Sequence, residues 1–356
     1  MSQQNGLKLS QEGTTVGVLG GGAWGTALAF HCVRKGHNTL LWARETEVVE
    51  GINGPDRENA VFLKGHKAPE GLRASTDMAE VVKHAELLLM VIPTPFVAAT
   101  ISGIKDLLRP EQILVSCTKG ILNDTLETPQ HILSRVLPAA TTKNLAYLSG
   151  PSFAAEVAAG QPTVVTIASV NDQAAGRAQM LLSNSRFRCY RTNDVEGVEM
   201  GGALKNVLAI ACGISDGLGF GNNARAALIT RGLVEITRLA VASGAHPMTM
   251  GGLAGMGDLV LTCTGDQSRN RTVGLRLGKG EKLEDIIKST NAVAEGVLTS
   301  SAAAALAKKL KIDCPIIDGI FRVIHNNAEP LEVVSEVMSR DLKMEVDDEL
   351  LQAAKQ

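Results

Sequence analysis

Val16-Gly17-Val18-Leu19-Gly20-Gly21-Gly22-Ala23-Trp24-Gly25 is an apolar run that breaks on a cluster of glycines. Its last six residues satisfy G-x-G-x-x-G, and Trp24–Lys35 follows with the length of a crossover helix. A second apolar run, Asn38–Ala43, comes next. Gly20 permits a tight turn, Gly22 lets a pyrophosphate approach the backbone, and Gly25 lets helix and strand pack closely. The helix N-terminus attracts the diphosphate charge. Any glycine-rich turn matches the bare pattern, but its place inside a β-α-β unit makes it a dinucleotide fingerprint.

The same alternation continues outward. Val16–Gly20, Asn38–Ala43, Leu87–Thr94, Ile113–Cys117, Leu145–Leu148 and Thr163–Ala168 read as buried strands bounded by Gly, Pro or charged residues. Near-continuous apolar runs suit a parallel sheet covered on both faces. The texture then changes to helix: Glu196–Ile214, Asn223–Ser243, Leu283–Lys288, Thr299–Lys311, Pro315–His325 and Leu331–Ser339. Asn222 or Asn223 is the expected cap of the second of these, with Gly244 ending it. The fold class is therefore α/β: an N-terminal Rossmann-like doubly wound sheet (1–192) and an all-helical C-terminal substrate domain (193–356). A length of 356 residues suits two cores rather than one.

Composition narrows the function classes. Lys plus Arg number 35 against 37 for Asp plus Glu, giving a net charge of −2, so a general nucleic-acid or membrane-surface binder is not expected. A local basic pocket for a small phosphate stays open. Six cysteines include no C-x-x-C pair, which predicts free thiols, no zinc or other metal site, and a reducing compartment. The polar Met1–Gly13 stretch lacks a secretory apolar core, and no uninterrupted apolar run approaches a membrane span of roughly 18 residues. A cytoplasmic homodimer is the expectation.

Two clusters carry chemistry. Between Met200 and Ile214 the only polar side chains are Lys205 and Asn206. A helix apolar all round is buried, and Lys205 shares its stripe with Gly201, Gly202, Ala209 and Cys212, too small to shield a charge. A buried ammonium needs anionic neighbours, a lowered pKa, or both, and then serves as a proton donor or acceptor near neutral pH. The bland alternative is a lysine that snorkels at the helix edge. Asp258, set among glycines in Gly255-Met256-Gly257-Asp258, is suited to orient a lysine. Ser268-Arg269-Asn270-Arg271 offers donors for a phosphate, although each cluster alone reads equally as a cap or a surface loop. Lys119 follows the Ile113–Cys117 strand, at the carboxyl edge where open α/β sheets bind ligands. Arg44, followed by Glu45, stands where an acidic residue usually holds the ribose of NAD. It suits a 2′-phosphate, stacks on adenine, or is a solvated loop arginine, so NAD and NADP both remain open.

Together these segments resemble the NAD(P)-dependent glycerol-3-phosphate dehydrogenases, particularly their bacterial-type branch. The resemblance runs from about Val16 to the last expected helix. It rests on GGGAWGTAL (20–28), CTKG (117–120), GPSFAAEV (150–157), GGALKNVLAIACG (201–213), NARAALITRG (223–232) and GLAGMGDLVLTCTGDQSRNRTVG (252–274). It implies hydride transfer between NAD(P)H and dihydroxyacetone phosphate, giving sn-glycerol 3-phosphate. Lys205 is then the general acid/base, and Asp258 its orienting counter-charge. Lys119, with Asn206 and Thr262, polarises the substrate oxygen or holds its hydroxyl. Gly150 and Ser152 contact substrate, and Ser268, Arg269 and Asn270 take its phosphate. Gly20, Gly22, Ala23, Trp24, Gly25, Arg44, Phe96, Lys119, Ala154, Arg269, Val293 and Glu295 match cofactor-contacting positions, Phe96 more loosely. Lys64 departs from the pattern, FLKG standing where FLPG is expected. Two rival readings stand beside it. A β-hydroxyacid-type dehydrogenase shares the buried Lys-Asn pair but not the Ser268-Arg269-Asn270 segment that favours a triose phosphate. A non-catalytic dinucleotide-binding redox sensor would be marked by loss of a proton-transfer residue, whereas Lys205, Asp258 and Lys119 are all present.

Overall fold

The structure, a computed structural model, describes residues 13–289, 294–342 and 344–345. The eight strands are β1 (Thr15–Leu19), β2 (Asn38–Trp42), β3 (Arg73–Ser75), β4 (Leu87–Met90), β5 (Ile113–Ser116), β6 (Leu145–Ser149), β7 (Thr163–Ala168) and β8 (Phe187–Thr192). They form one sheet in the order β3-β2-β1-β4-β5-β6-β7-β8. All neighbours are parallel except β6 and β7, which run antiparallel with Leu148 opposite Ile167. A parallel return would need a crossover about as long as the strand. The connection holds only the short Ala154–Ala158 helix, which rises roughly 7 Å against about 17 Å of strand.

Alternate residues of the central strands feed two different cores. Leu87 and Leu89 of β4 pack with Val16, Val18, Phe30 and Val115, while Leu88 and Met90 pack with Leu19, Val97, Ile101 and Ile132. That two-sided burial is why these strands read as unbroken apolar runs. The expected Leu87–Thr94 strand stops at Met90, because Pro93 cannot donate to a ladder and instead precedes a helix at Thr94–Ile104. The continuous-apolar template also misses β3 and β8. In β8, Phe187 and Cys189 are buried while Arg188 and Tyr190 are exposed, the alternation of a strand covered on one face.

Beyond Thr192 the described chain is helical. Its centre is Val195–Gly217, a 23-residue helix buried continuously from Gly197 to Ser215. By length and composition this helix would span a membrane, but the whole of its most apolar window lies inside the protein. It is the axis of the third core, with Ile236, Leu239, Ile317 and Ile320 packed around it. The Asn222–Ala242 helix starts on Gly221 with no side-chain cap, correcting the expectation for Asn222 or Asn223. Gly244, at φ +101°, does end it.

Where the core helix crosses Arg269–Gly278, backbone meets backbone. A Cβ on Gly274 would stand 2.1 Å from the Ile210 carbonyl oxygen, and one on Gly213 would stand 2.1 Å from that of Arg271. No side-chain rotation relieves such a clash. Gly274→Ala is therefore expected to separate the two helices and destabilise the fold by about 1–3 kcal/mol, the usual range for overpacking. A urea denaturation midpoint equal to that of the unaltered chain would show the crossing to be looser than drawn.

Candidate active site

The six parallel strands β1–β6 present their carboxyl ends to one edge, and that edge gathers most of the expected site residues. At the end of β1, Gly20 has φ +130°, and a Cβ there would lie 2.3 Å from the Val91 carbonyl oxygen. A Cβ on Gly25 would lie 1.9 Å from the carbonyl oxygen of Gly20, so helix and turn touch directly. A Cβ on Gly22 would meet nothing within 4 Å. The Ala23–Arg34 helix opens at Gly22 with no side-chain cap and no acidic residue in its first turn. Its N–H groups are thus left for an anion. Trp24 Nε1 is buried without a protein partner. These features fit a dinucleotide diphosphate and leave the space it needs. Arg44, beyond β2, is exposed and pairs with Glu45 at 3.0 Å.

The core helix carries Lys205 to the same edge. Lys205 is only 6 % exposed and Asp258 only 1 %, which removes the snorkelling alternative. Lys205 Nζ donates to Asp258 Oδ1 and to Thr262 Oγ1, the latter at 2.9 Å. The Thr262 hydroxyl in turn donates to the Asp258 carbonyl oxygen at 2.6 Å. Lys119 Nζ donates to Asp258 Oδ2 at 2.7 Å and reaches the Gly150 carbonyl oxygen at 3.5 Å. One carboxylate thus sits between two amines. Burial pushes Lys205 down to about 8, against the upward pull of Asp258 and with help from Lys119. Burial alone would raise the Asp258 carboxyl, but the two ammoniums more than offset it and hold it below the ordinary carboxylate range.

Local sequence explains the placement. A Cβ on Gly201 would lie 2.6 Å from the Ala254 carbonyl oxygen. The small stripe beside Lys205 therefore admits the Leu253–Gly257 π-type turn against the helix, and that turn delivers Asp258. Wide turns of this kind cluster at functional sites.

A second chain of contacts flanks the first. Asn270 Nδ2 donates to Asn206 Oδ1 at 2.9 Å, and Asn206 Nδ2 donates to Glu295 Oε2 at 3.4 Å. Burial raises the Glu295 carboxyl, opposed by Arg269, Lys119 and Lys205. Asn270 Oδ1 also accepts from the Gly296 N–H at 2.9 Å. Ser268 Oγ accepts from the Arg271 N–H and so caps the Arg269–Gly278 helix, with Arg269 exposed beside it. Ser152 Oγ donates to the Gly150 carbonyl oxygen at 3.0 Å. Ala154 packs beside the sheet core with Trp24. Phe96 stands on the Thr94–Ile104 helix, 57 % exposed. Val293 lies outside the described residues.

Comparison with known proteins gives this geometry a family. Residues 15–175 match the family described as NAD-dependent glycerol-3-phosphate dehydrogenase N-terminus, and residues 194–335 match its C-terminus. The chain belongs to the NAD-dependent glycerol-3-phosphate dehydrogenases. Relatives named glycerol-3-phosphate dehydrogenase [NAD(P)+] include that of Geobacter sp. (strain M21), 50 % identical over 93 % of this chain and 98 % of its own. That of Leptospira biflexa serovar Patoc is 47 % identical over 93 % and 99 %. The crystal structure of glycerol-3-phosphate dehydrogenase from Coxiella burnetii superposes with a TM-score of 0.86 at 38 % identity, covering 92 % and 99 %.

Sequence reasoning passed over two residues of this dehydrogenase. Asn59 is fully buried and donates to the Gly21 carbonyl oxygen and to Thr26 Oγ1, both at 2.8 Å, bracing the glycine turn from behind. Its signal was an amide directly before Ala60-Val61-Phe62. Lys64, the departure in the same segment, is exposed. Glu199 is buried on the core helix, in a stretch read only for Lys205.

Asp258→Asn would leave the buried Lys205 facing the half-buried Lys119 with no carboxylate between them. Removing one partner of a buried ion pair costs about 3–5 kcal/mol, and a loss of that order is expected in denaturant unfolding at pH 7. Without the carboxylate Lys205 would deprotonate below its present value of about 8. The repulsion should therefore fade as pH rises to 9 and above, and a deficit that does not shrink there would argue against a charged pair.

Proposed function

We propose that this chain interconverts dihydroxyacetone phosphate and sn-glycerol 3-phosphate with NAD or NADP, and that Lys205 Nζ moves the proton at the substrate's C2 oxygen. The observation that carries the reading is a buried amine titrating near 8, locked between Asp258 and Thr262, on the edge that bears the dinucleotide turn. When bound, the cofactor supplies hydride to C2 or accepts it.

In the reducing direction, Lys205 in its ammonium form donates its proton to the carbonyl oxygen as that oxygen gains negative charge. Lys119, also paired with Asp258, stabilises the same oxygen, the logic of an oxyanion hole. Asp258 holds both amines in place, and Thr262 fixes the direction of the Lys205 N–H bonds. In the oxidising direction the neutral amine takes the hydroxyl proton. Asn206, its side chain anchored by Asn270 and Glu295, holds the substrate beside Lys205, and Gly150 and Ser152 contact it as well. The phosphate lies at the start of the Arg269–Gly278 helix, whose first turn holds no acidic side chain. Arg269 is its cationic partner, and the Ser268 hydroxyl proton and the second Asn270 N–H remain to donate.

The dinucleotide is held by Gly20, Gly22, Ala23, Trp24 and Gly25 at the diphosphate and Arg44 at the adenosine end, with Phe96, Lys119, Ala154, Arg269 and Glu295 as further contacts. The match to a cofactor position at Val293 falls outside the described residues. Residues 1–192 make the dinucleotide-binding unit and 193–356 the substrate unit. The enzyme is proposed to be a cytoplasmic homodimer. Six free, buried cysteines suit a reducing compartment, and sedimentation equilibrium tests the assembly.

Lys205→Ala should bind NADH with near-normal affinity while kcat falls about 10²–10⁴-fold, the usual loss for a general acid. For the unaltered enzyme, kcat for ketone reduction should decline as pH rises through about 8, and alcohol oxidation should gain over the same range. Near-normal turnover in the alanine variant would remove Lys205 from the mechanism.

Arg44→Ala should raise KM for NADPH more than for NADH, because its exposed guanidinium serves only a 2′-phosphate with charge. Equal effects on the two cofactors would assign Arg44 to adenine stacking.

A further inference from the structure

Lys119 and Thr118 help to line a cavity of about 10 Å³ whose wall also holds Ser116, Tyr147, Ser149, Glu199 and Gly202. Three oxygens in its wall, Ser116 Oγ, Ser149 Oγ and Glu199 Oε1, are buried and find no protein partner. We propose that this cavity binds one ordered water that joins Glu199 Oε1 to the hydroxyls of Ser116 and Ser149, and that Glu199 is thereby a positioning residue for Lys119.

The site is built for that occupant. The volume matches a single water, and buried waters typically make about three hydrogen bonds to groups otherwise unsatisfied. Glu199 is oriented from its other oxygen, Oε2, which accepts the Gln130 N–H at 3.0 Å. Burial lifts the Glu199 acid to about 8, so at neutral pH it keeps a proton and Oε1 can donate. The water can accept that hydrogen bond and donate one to each serine. Each of the three oxygens then has a partner.

The three partners belong to three elements of the proposed active site. Ser116 ends β5, three residues before Lys119, and Ser149 ends β6, one residue before Gly150. Glu199 lies on the helix that carries Lys205. A Cβ on Gly202, on the cavity wall, would stand 2.5 Å from Ser149 Oγ, so that hydroxyl could not keep its place there. A bridging water fastens the two strand ends to the helix and so sets the separation of the two amines. The inference about Lys119 rests on the reaction proposed above.

The test pairs crystallography with kinetics. A crystal structure of the unaltered enzyme that resolves ordered solvent should show one peak within hydrogen-bond distance of all three oxygens. Glu199→Leu should lower kcat by about tenfold, since a small misplacement of a reacting group costs up to about 10²-fold. It should also shift the pH midpoint of kcat while leaving NADH affinity unchanged. Glu199→Gln, which keeps the shape and the hydrogen bonds, should recover most of that loss and retain the water. If the leucine variant does not fold, Ser149→Ala is measured by the same readouts, with the same direction expected. A dry cavity in the unaltered enzyme overturns the proposal. So does an unchanged kcat and pH profile in the leucine variant or, should that one not fold, in Ser149→Ala. The solvent peak is read without turnover, so absence of activity toward dihydroxyacetone phosphate would defeat the assigned reaction and leave the water site to be judged separately.

Discussion

A single carboxylate held between two amines, in a place that water hardly reaches, organises this molecule. Asp258 is almost wholly buried, and so is Lys205, and neither is tolerable there alone. Each is made stable by the other and by Lys119, which arrives from a different part of the chain. The trio joins a strand end of the sheet, the core helix, and the turn after residue 252. Holding it in register therefore requires the sheet and the helical half to meet in one arrangement. The same burial that makes the pairing costly lowers Lys205 to about 8, so stability is exchanged for a proton that moves near neutral pH.

Close approach is what allows the pieces to meet. Side chains large enough to fill a core would hold the core helix several ångströms away from its neighbours. Gly201 faces the Ala254 backbone, Gly202 faces Ser149, and Gly213 faces the Arg271 backbone. These glycines are not there for flexibility, since their helix is regular. Their role is to bring the turn carrying Asp258, the end of β6 and the Arg269–Gly278 helix onto one lysine-bearing surface. The first glycine turn works similarly for the cofactor, with Gly25 against Gly20 fixing where the open N-terminus of the first helix points.

Much of this was legible in the sequence because its signals are local. Strands buried on both faces read as apolar runs, and a glycine turn between strand and helix announces itself within ten residues. A lysine in an otherwise apolar helix is equally conspicuous, although only the fold shows that Lys205 is buried rather than snorkelling. What escaped depends on long-range partners. β8 carries Arg188 and Tyr190 on its outer face, so its strand character is visible only once Phe187 and Cys189 are seen packing inward. The antiparallel turn of β7 follows from the length of a connection, not from the strand's own residues. Ser268 and Asn270 were read as phosphate donors, and the structure shows each also bonded within the protein, one as a cap and one as a brace for Asn206. Asn59 and Glu199 make sense only beside the backbone they support.

Several places where the chain breaks the ordinary rules of burial lie together. A carboxylate and two amines at the mouth of the helical half, an open helix start after β1, and an unpaired indole N–H beside it all occupy one edge of the sheet. Well-packed apolar residues of similar volume commonly match or exceed the stability of a buried ion pair. A chain selected for stability alone would have no reason to keep this one. Charged violations gathered on the edge that also bears an open helix start are what a functional site leaves in a structure. On that argument the charged trio would mark the reacting centre even if no relative of this dehydrogenase had been known, and the family supplies which ketone it receives.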